Sequence, residues 1–340
     1  MRHRTLFVAV AAFTTVAATA QHTQAGGNPH RTSTFVYDSF TASDGYTIDD
    51  YFAKWSNGFG PGEMAVDDTR TFDNDTFHVG AAPFQTSYDI GVFDHIKYLA
   101  TSNTGFAVPR HGSITFSASI SATTPGTQPG RVIHGCYGPS ESYLSTAHPC
   151  AQPYTATLLE GQQAGATLHM IDFATGQLFD WFVSGSTAFI LTERLPAVVV
   201  GSPAAGTRDT MYTQIIEEIP ISSGPHTVAI TYTRQPGQSF VEFFLDGKRV
   251  AKVGKVGVPL DVQNRQYTGI YPSLGPGEEL HDEIDTLFIG HGLFSLLDAF
   301  PFQHPDAPEL SVSIPTSERI FGQGAIADFD DFVVTTVTKG

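Results

Sequence analysis

Basic side chains and sulfur are scarce in this 340-residue chain. Its 18 Lys and Arg stand against 34 Asp and Glu, and it has only two cysteines and two tryptophans. The shortage of cations leaves a formal net charge of −16, a sign that repels polyanions at long range and argues against nucleic acid or an anionic membrane surface as a partner. No apolar run of spanning length follows residue 20, so no later segment reads as a membrane span. The histidines are scattered, without HExxH or a paired H-x-H, which removes the usual zinc signatures. A G-x-S-x-G elbow, a P-loop and a dinucleotide fingerprint are missing as well.

What is present begins with residues 1–20, MRHRTLFVAVAAFTTVAATA. Arg2 and Arg4 precede a short apolar run that ends in Ala18-Thr19-Ala20, the pattern of a secretory signal peptide. Cleavage there would remove two basic residues and no acid, leaving a mature net charge of −18. In an exported protein the cysteine pair, Cys136 and Cys150, reads as a disulfide that pins one loop. The expected location is secreted or extracellular, either free or held at a cell surface.

Residues 21–33, QHTQAGGNPHRTS, are polar and aperiodic and read as a disordered lead-in. Beyond them the pattern is β. Gly112 to Ile120 alternates apolar and polar residues without a break, as a half-buried strand does. Residues 167–194 hold three β-rich runs separated by short Gly-containing breaks, a hairpin signal. In His226–Val253, HTVAITYTRQPGQSFVEFFLDGKRVAKV, Gln235-Pro236-Gly237 and Asp246-Gly247 divide three antiparallel strands.

The run HTVAITY…VEFFLDGKRVAKV resembles the strand–turn–strand of the laminin-G-like and concanavalin A-like lectin/glucanase superfamily. Tyr37-Asp38-Ser39-Phe40 echoes Phe329-Asp330-Asp331-Phe332, and first and last strands commonly pair in that superfamily. The stretch FDWFVSGSTAFILTERLP is similar to a secreted microbial family of unassigned function. The resemblance implies an all-β fold, a two-sheet antiparallel β-sandwich of the concanavalin A-like jelly-roll kind. It would fill residues 34–338 as a single domain, with a concave sheet that binds ligands.

Glu278 to Leu287, EELHDEIDTL, is the densest knot of carboxylates. The superfamily's retaining glucanases carry Glu-x-Asp-x-Glu or Glu-x-Asp-x-x-Glu on one strand. Glu283 and Asp285 match the first two places, but the third is Leu287 or Phe288, and the run follows the DGK hairpin where the glucanase strand precedes it. Read as a helix, the segment puts Leu280, Ile284, Leu287 and Phe288 on one stripe with the acids outside, and Glu278 and Glu279 near an N-terminus that favours negative charge. A second stripe follows at Leu293, Leu296, Leu297 and Phe300, so short helical segments are expected near 278–300. Should chemistry reside here, Glu283, Asp285 and His281 are its candidates. Glu193 is another, a carboxylate on the same strand face as Phe189 and Leu191, where burial would demand a partner or a shifted pKa.

Sugar binding calls for flat aromatic faces, and Trp55, Trp181 and Tyr212 are the candidate platforms, although core packing is the commoner fate of a strand tryptophan. No cofactor is specified by any motif. A structural calcium ion at Asp38, Asp330 and Asp331 is the one metal site the end-strand pairing would bring together. Asn74-Asp75-Thr76 is an N-glycosylation sequon. The leading expectation is an exported sandwich that binds a neutral glycan or related extracellular ligand on its concave sheet. The alternative is a carbohydrate-active hydrolase or lyase, or a small-molecule enzyme using the sandwich cleft, so enzymatic status stays open.

Overall fold

The computed structural model describes residues 30–41, 45–57, 69–86, 95–139, 149–206, 212–237, 239–257, 278–280, 283–298, 303–304 and 307–339. The expected signal peptide, most of the polar lead-in and His281 lie outside these. Residues 30–33, the end of that lead-in, are already paired in the first strand.

The strands of the first half are β1 (His30–Asp38), β2 (Trp55–Asn57), β3 (Thr69–Asp73), β4 (Thr76–Ala81), β5 (Ile96–Ser102), β6 (Phe106–Ala107), β7 (Gly112–Thr123), β8 (Val132–Pro139), β9 (Gln152–Thr157) and β10 (Gly165–Ile171). Those of the second half are β11 (Gln177–Val183), β12 (Thr187–Arg194), β13 (Tyr212–Pro220), β14 (His226–Arg234), β15 (Phe240–Leu245), β16 (Lys248–Val253), β17 (Lys255–Val256), β18 (Glu278–Glu279), β19 (Thr286–Phe294), β20 (Gln303–His304), β21 (Ala307–Ser313) and β22 (Ala325–Lys339). Short helices intervene: α1 (Ile48–Lys54), α2 (Glu160–Gln163), α3 (Ala197–Val200) and α4 (Thr316–Arg319), with a 3-10 turn at Leu296–Asp298.

Among the described residues, sheet A runs β16-β15-β14-β7-β22-β4-β3 with β1 also on β22, and sheet B runs β13-β12-β11-β10-β19-β5-β2 with β6 also on β19. All the pairings are antiparallel. This is the expected two-sheet sandwich. Its main core lies between the sheets and includes Phe116, Ile230 and Phe329 from sheet A against Leu168, Trp181 and Ile289 from sheet B. First and last strands pair as expected, with Val36 opposite Val333.

A third layer was not anticipated. Sheet D, β20-β21-β8-β9, contributes Ile133, Tyr154 and Val312 to a second core shared with Leu178, Phe182, Phe189 and Leu191 on the far side of sheet B. Burial follows the layering. β7 alternates buried and half-exposed residues along its length because sheet A has one face in solvent. β10 and β11 are buried at every position because sheet B is sandwiched on both faces. Cys136 of β8 is disulfide-bonded to Cys150, with Cα atoms 5.4 Å apart, so the bridge staples this covering layer.

The hairpin that carried the family resemblance has a local cause. Asp246 (φ 50°) and Gly247 (φ 75°) both lie in the left-handed region, the requirement of the tight turn that Asp-Gly favours. Asp246 receives the Thr227 amide at 2.9 Å and pairs with His226 Nδ1 at 2.8 Å, so the histidine that leads the strand braces the turn that follows it.

The helical reading of 280–288 is overturned. Residues 286–294 form β19, which lies between β10 and β5 in the middle of sheet B. Leu287, Ile289, His291 and Leu293 face the main core while Phe294 faces the second. With both faces covered, polar alternation is lost, and the remaining spacing of apolar residues mimics a helix stripe. Gly292 is required by this position: a Cβ there would meet the Tyr98 carbonyl oxygen of β5 at 2.1 Å. Of the second stripe only Leu296 and Leu297 lie in a helical turn, the 3-10 turn; Leu293 belongs to β19, and Phe300 lies outside the described residues.

Candidate functional site

The residues expected to act divide into three environments. Two acids of the 278–287 run, Glu278 and Asp285, serve as staples. Glu278 Oε2 pairs with Arg194 at 2.6 Å, and its Oε1 receives the Gln177 amide and the Tyr212 hydroxyl. Asp285 pairs with Arg234 at 2.6 Å while remaining largely in solvent, and Glu283 is an exposed turn residue. The structure joins neither Glu283 nor Asp285 to Glu193, which is buried in sheet B with Asp180, His169 and Thr213 around it.

The aromatic platforms are corrected to core residues. Trp55 and Trp181 are fully buried and Tyr212 nearly so. The Trp181 indole N–H crosses the sandwich to the Ala229 carbonyl at 3.0 Å, and the Tyr212 hydroxyl bonds Gln177 and Glu278. Each tucks its polar handle onto an internal partner, as buried Trp and Tyr must.

The calcium site is corrected as well. Asp38 is buried and receives the Trp55 indole N–H (2.7 Å), the Tyr46 hydroxyl (2.7 Å) and the Lys54 ammonium (2.8 Å). Its oxygens are thus occupied by donors, and Lys54 supplies the positive charge. Asp331 sits exposed at a bulge with φ 51°, and Asp330 Oδ1 accepts the amide of Asp331 at 2.7 Å. Among the described residues no group of three His, Cys, Asp or Glu is placed to hold a metal ion.

Two arrangements missed in the sequence take their place. The first is a groove of about 630 Å³ on the solvent face of sheet A. Three antiparallel pairings place Thr71, His78, Asp328 and Ser121 in one row across β3, β4, β22 and β7. One pleat along, Asp73 faces Thr76 and Asp330 faces Ser119. The β3–β4 turn that closes one end is Asn74-Asp75, both left-handed (φ 51° and 61°), a conformation that Asn and Asp tolerate best among residues with a side chain. His78 Nδ1 lies 2.7 Å from Asp328 Oδ1, with the two side chains 40% and 49% exposed. Partial burial pushes the Asp330 carboxyl above its ordinary range, and the neighbouring Asp331 and Asp75 carboxylates add to this.

The second is a polar line on the covered face of sheet B. Asp180 Oδ1 lies 2.5 Å from His169 Nδ1, and His169 Nε2 lies 2.6 Å from Thr167 Oγ1, which reaches the Gly292 carbonyl at 3.3 Å. On β12, Glu193 Oε1 receives the Thr213 hydroxyl at 2.5 Å. Burial lowers His169 to about 3 and raises Asp180 well above the carboxylate range. Burial lifts Glu193 to about 8. With Asp180 protonated and His169 neutral, every step has a donor: Asp180 to Nδ1, Nε2–H to Thr167, and Thr167 to Gly292.

A family model matches residues 145–338, more than half of the chain, and its description is a family of unknown function, DUF6081. The chain belongs to that family. The matched region includes the FDWFVSGSTAFILTERLP stretch, the covered polar line and the C-terminal strand of the groove. Among curated proteins, no sequence matches the chain. Solved structures similar to it include an endo-1,3-beta-glucanase from Streptomyces sioyaensis, at 10% identity over 94% of this chain and 100% of that one, with a TM-score of 0.39. An exolytic PL7 alginate lyase from Zobellia galactanivorans is similar at 11% identity over 84% and 95%, with a TM-score of 0.38. A legume lectin-like domain from Entamoeba histolytica is similar at 7% identity over 85% and 92%, with a TM-score of 0.33. The sandwich is established by strand pairing and register, independently of these likenesses. No helix among the described residues is long and apolar enough to cross a membrane.

Proposed function

We propose that this DUF6081 protein is an exported β-sandwich that binds a neutral, polyhydroxylated ligand, a glycan, in the groove on the solvent face of sheet A. The observation that carries the reading is the pair of hydrogen-bonding rows set on rigid adjacent strands. Carboxylates each accept from more than one sugar hydroxyl, while the Ser and Thr hydroxyls and the imidazole can donate or accept as the ligand demands. Among the described residues the groove is lined by Asp73, Asp328 and Asp330 and by no Lys or Arg, so it suits a neutral ligand and disfavours an anionic polysaccharide. Among the described residues no Phe, Tyr or Trp lines it, so hydrogen bonds, not stacking, would fix the sugar. The Cys136–Cys150 bridge supports an oxidising, extracytoplasmic setting.

Affinity electrophoresis of the folded protein through neutral polysaccharides tests this. Retardation is expected, and Asp328→Ala or His78→Ala should weaken it about tenfold or more, the loss of hydrogen bonds to a charged group, with the melting temperature little changed. Free migration through every neutral polysaccharide, or variants that bind like the wild type, would overturn the reading.

The hydrolase or lyase alternative keeps one observation, the Glu193 carboxyl lifted to about 8, a value that suits a general acid. Glu193 is beneath the second core, however, whereas the groove is open to a polymer.

A further inference from the structure

The covered face of sheet B holds three titratable groups that glycan binding in the groove does not use, and this inference is independent of that function. Asp180, His169 and Glu193 project from β11, β10 and β12, on the same side as Leu178, Phe182, Phe189 and Leu191, which pack on sheet D. All three are less than a tenth exposed. Among the described residues Asp180 Oδ2 has no hydrogen-bond partner.

One further imidazole faces this core: His95, just before β5, is buried and packs on Phe294 as His169 does. The other charged groups of the surrounding elements are engaged elsewhere. On β12, Arg194 turns to Glu278, and on β5 the Lys97 ammonium donates to the Gln85 carbonyl. On α4, Arg319 donates to the Ile314 carbonyl and to Thr316, while Glu318 pairs with His134 of β8 at the surface. On α2, Glu160 accepts from Thr124 and Ser186, and Asp172 caps the β10–β11 turn through Thr175. His291 of β19 faces the opposite core, where it meets Tyr51. Ionising Glu193 or Asp180 therefore places negative charge between two sheets without a cation among these groups to receive it, a costly state.

We propose that sheet D is a proton-latched cover, seated on sheet B while Glu193 and Asp180 keep their protons and loosened when they lose them.

The sign follows from the two states. With the cover seated Glu193 titrates near 8, and with it lifted the carboxyl returns toward 4.5. Seating is thus favoured below 4.5, and the advantage is lost as pH rises toward 8. His169 runs the other way, from about 3 seated to 6.5 lifted, and offsets the Glu193 effect up to pH 6.5. Between pH 6.5 and 8 lifting releases the Glu193 proton with little of that offset left, so this carboxyl alone multiplies the opening constant by about ten per pH unit until it levels off near 8, roughly fifteenfold across the window. Asp180, also raised, acts in the same direction.

Hydrogen–deuterium exchange of the intact, oxidised protein at pH 6.5 and 8, corrected for intrinsic exchange rates, reads the opening directly. Peptides from β8, β9 and β21 should open at least about tenfold more at pH 8, while β7 and β22 of sheet A stay unchanged. Glu193→Gln should remove about that factor. An anionic naphthalene dye such as ANS should bind the wild type more at pH 8 than at 6.5, as the apolar face is uncovered. Three results would overturn the proposal: exchange of sheet D that does not vary with pH, sheet A rising in step with it, or a folded Glu193→Gln protein with the wild-type profile. Should that variant not fold, the wild-type contrast between sheets D and A still decides.

Discussion

Two of the molecule's histidine–aspartate pairs lie across neighbouring antiparallel strands of the two large sheets, and they differ in what lies over them. His78–Asp328 sits on sheet A with about half of each side chain in solvent, at 2.7 Å. His169–Asp180 sits on sheet B under a third sheet, 3% and 1% exposed, at 2.5 Å. A threonine stands beside each histidine, Thr71 across the strand in the open row and Thr167 two residues back in the closed one. Burial drives the closed pair to its neutral form, because neither charge is solvated there. The open pair keeps its access to water and to ligands. The covering layer, more than the residue pair, decides which histidine is able to meet a ligand.

That contrast can be broken at the cover itself. Replacing Cys136 and Cys150 with Ser should cost about 3 kcal/mol, the scale of a disulfide closing a loop of this length, with amide protection lost first in β8, β9 and β21. Ligand retardation by the sheet A groove should persist. Denaturant melts with and without reductant check the first part, and electrophoresis of the reduced, still folded protein checks the second.

A smaller effect sharpens the contrast between the pairs. Asp180→Ala leaves His169 Nδ1 buried without its partner and should cost about 2 kcal/mol, in the range for an unsatisfied buried polar group. Asp328→Ala breaks an exposed pair and should cost at most about 1 kcal/mol. Urea midpoints of the two variants measure the difference, and equal costs would mean that the cover does not set it.

How much of this was legible in the sequence follows the same division between open and covered faces. Sheet A shows one face to solvent, so β7 alternated visibly, and the Asp246-Gly247 turn and the pairing of the chain ends were readable. Sheet B is buried on both sides. There the spacing of Leu287 and Phe288 imitated a helix, and Trp181 gave no sign of which core it joins. The groove was hidden for another reason. His78 and Asp328 are 250 residues apart, and only the β4–β22 register brings them together. The signal that could have found it is the polar phase of three strands: Ser117, Ser119 and Ser121; Thr76 and His78; Asp328 and Asp330. Glu193 was readable as a carboxyl where burial was due. Its neighbours Asp180 and His169 were not, since they come from separate strands.

A ligand is expected on the open face of sheet A and not on the covered face of sheet B. Amide chemical-shift mapping with a neutral oligosaccharide drawn from the retarding polysaccharide tests it most directly. The expected result is a set of perturbations centred on His78, Ser119, Ser121 and Asp328, with β10 to β12 unmoved. Perturbations confined to β8, β9, β21 and the Asp180–Glu193 line would contradict it.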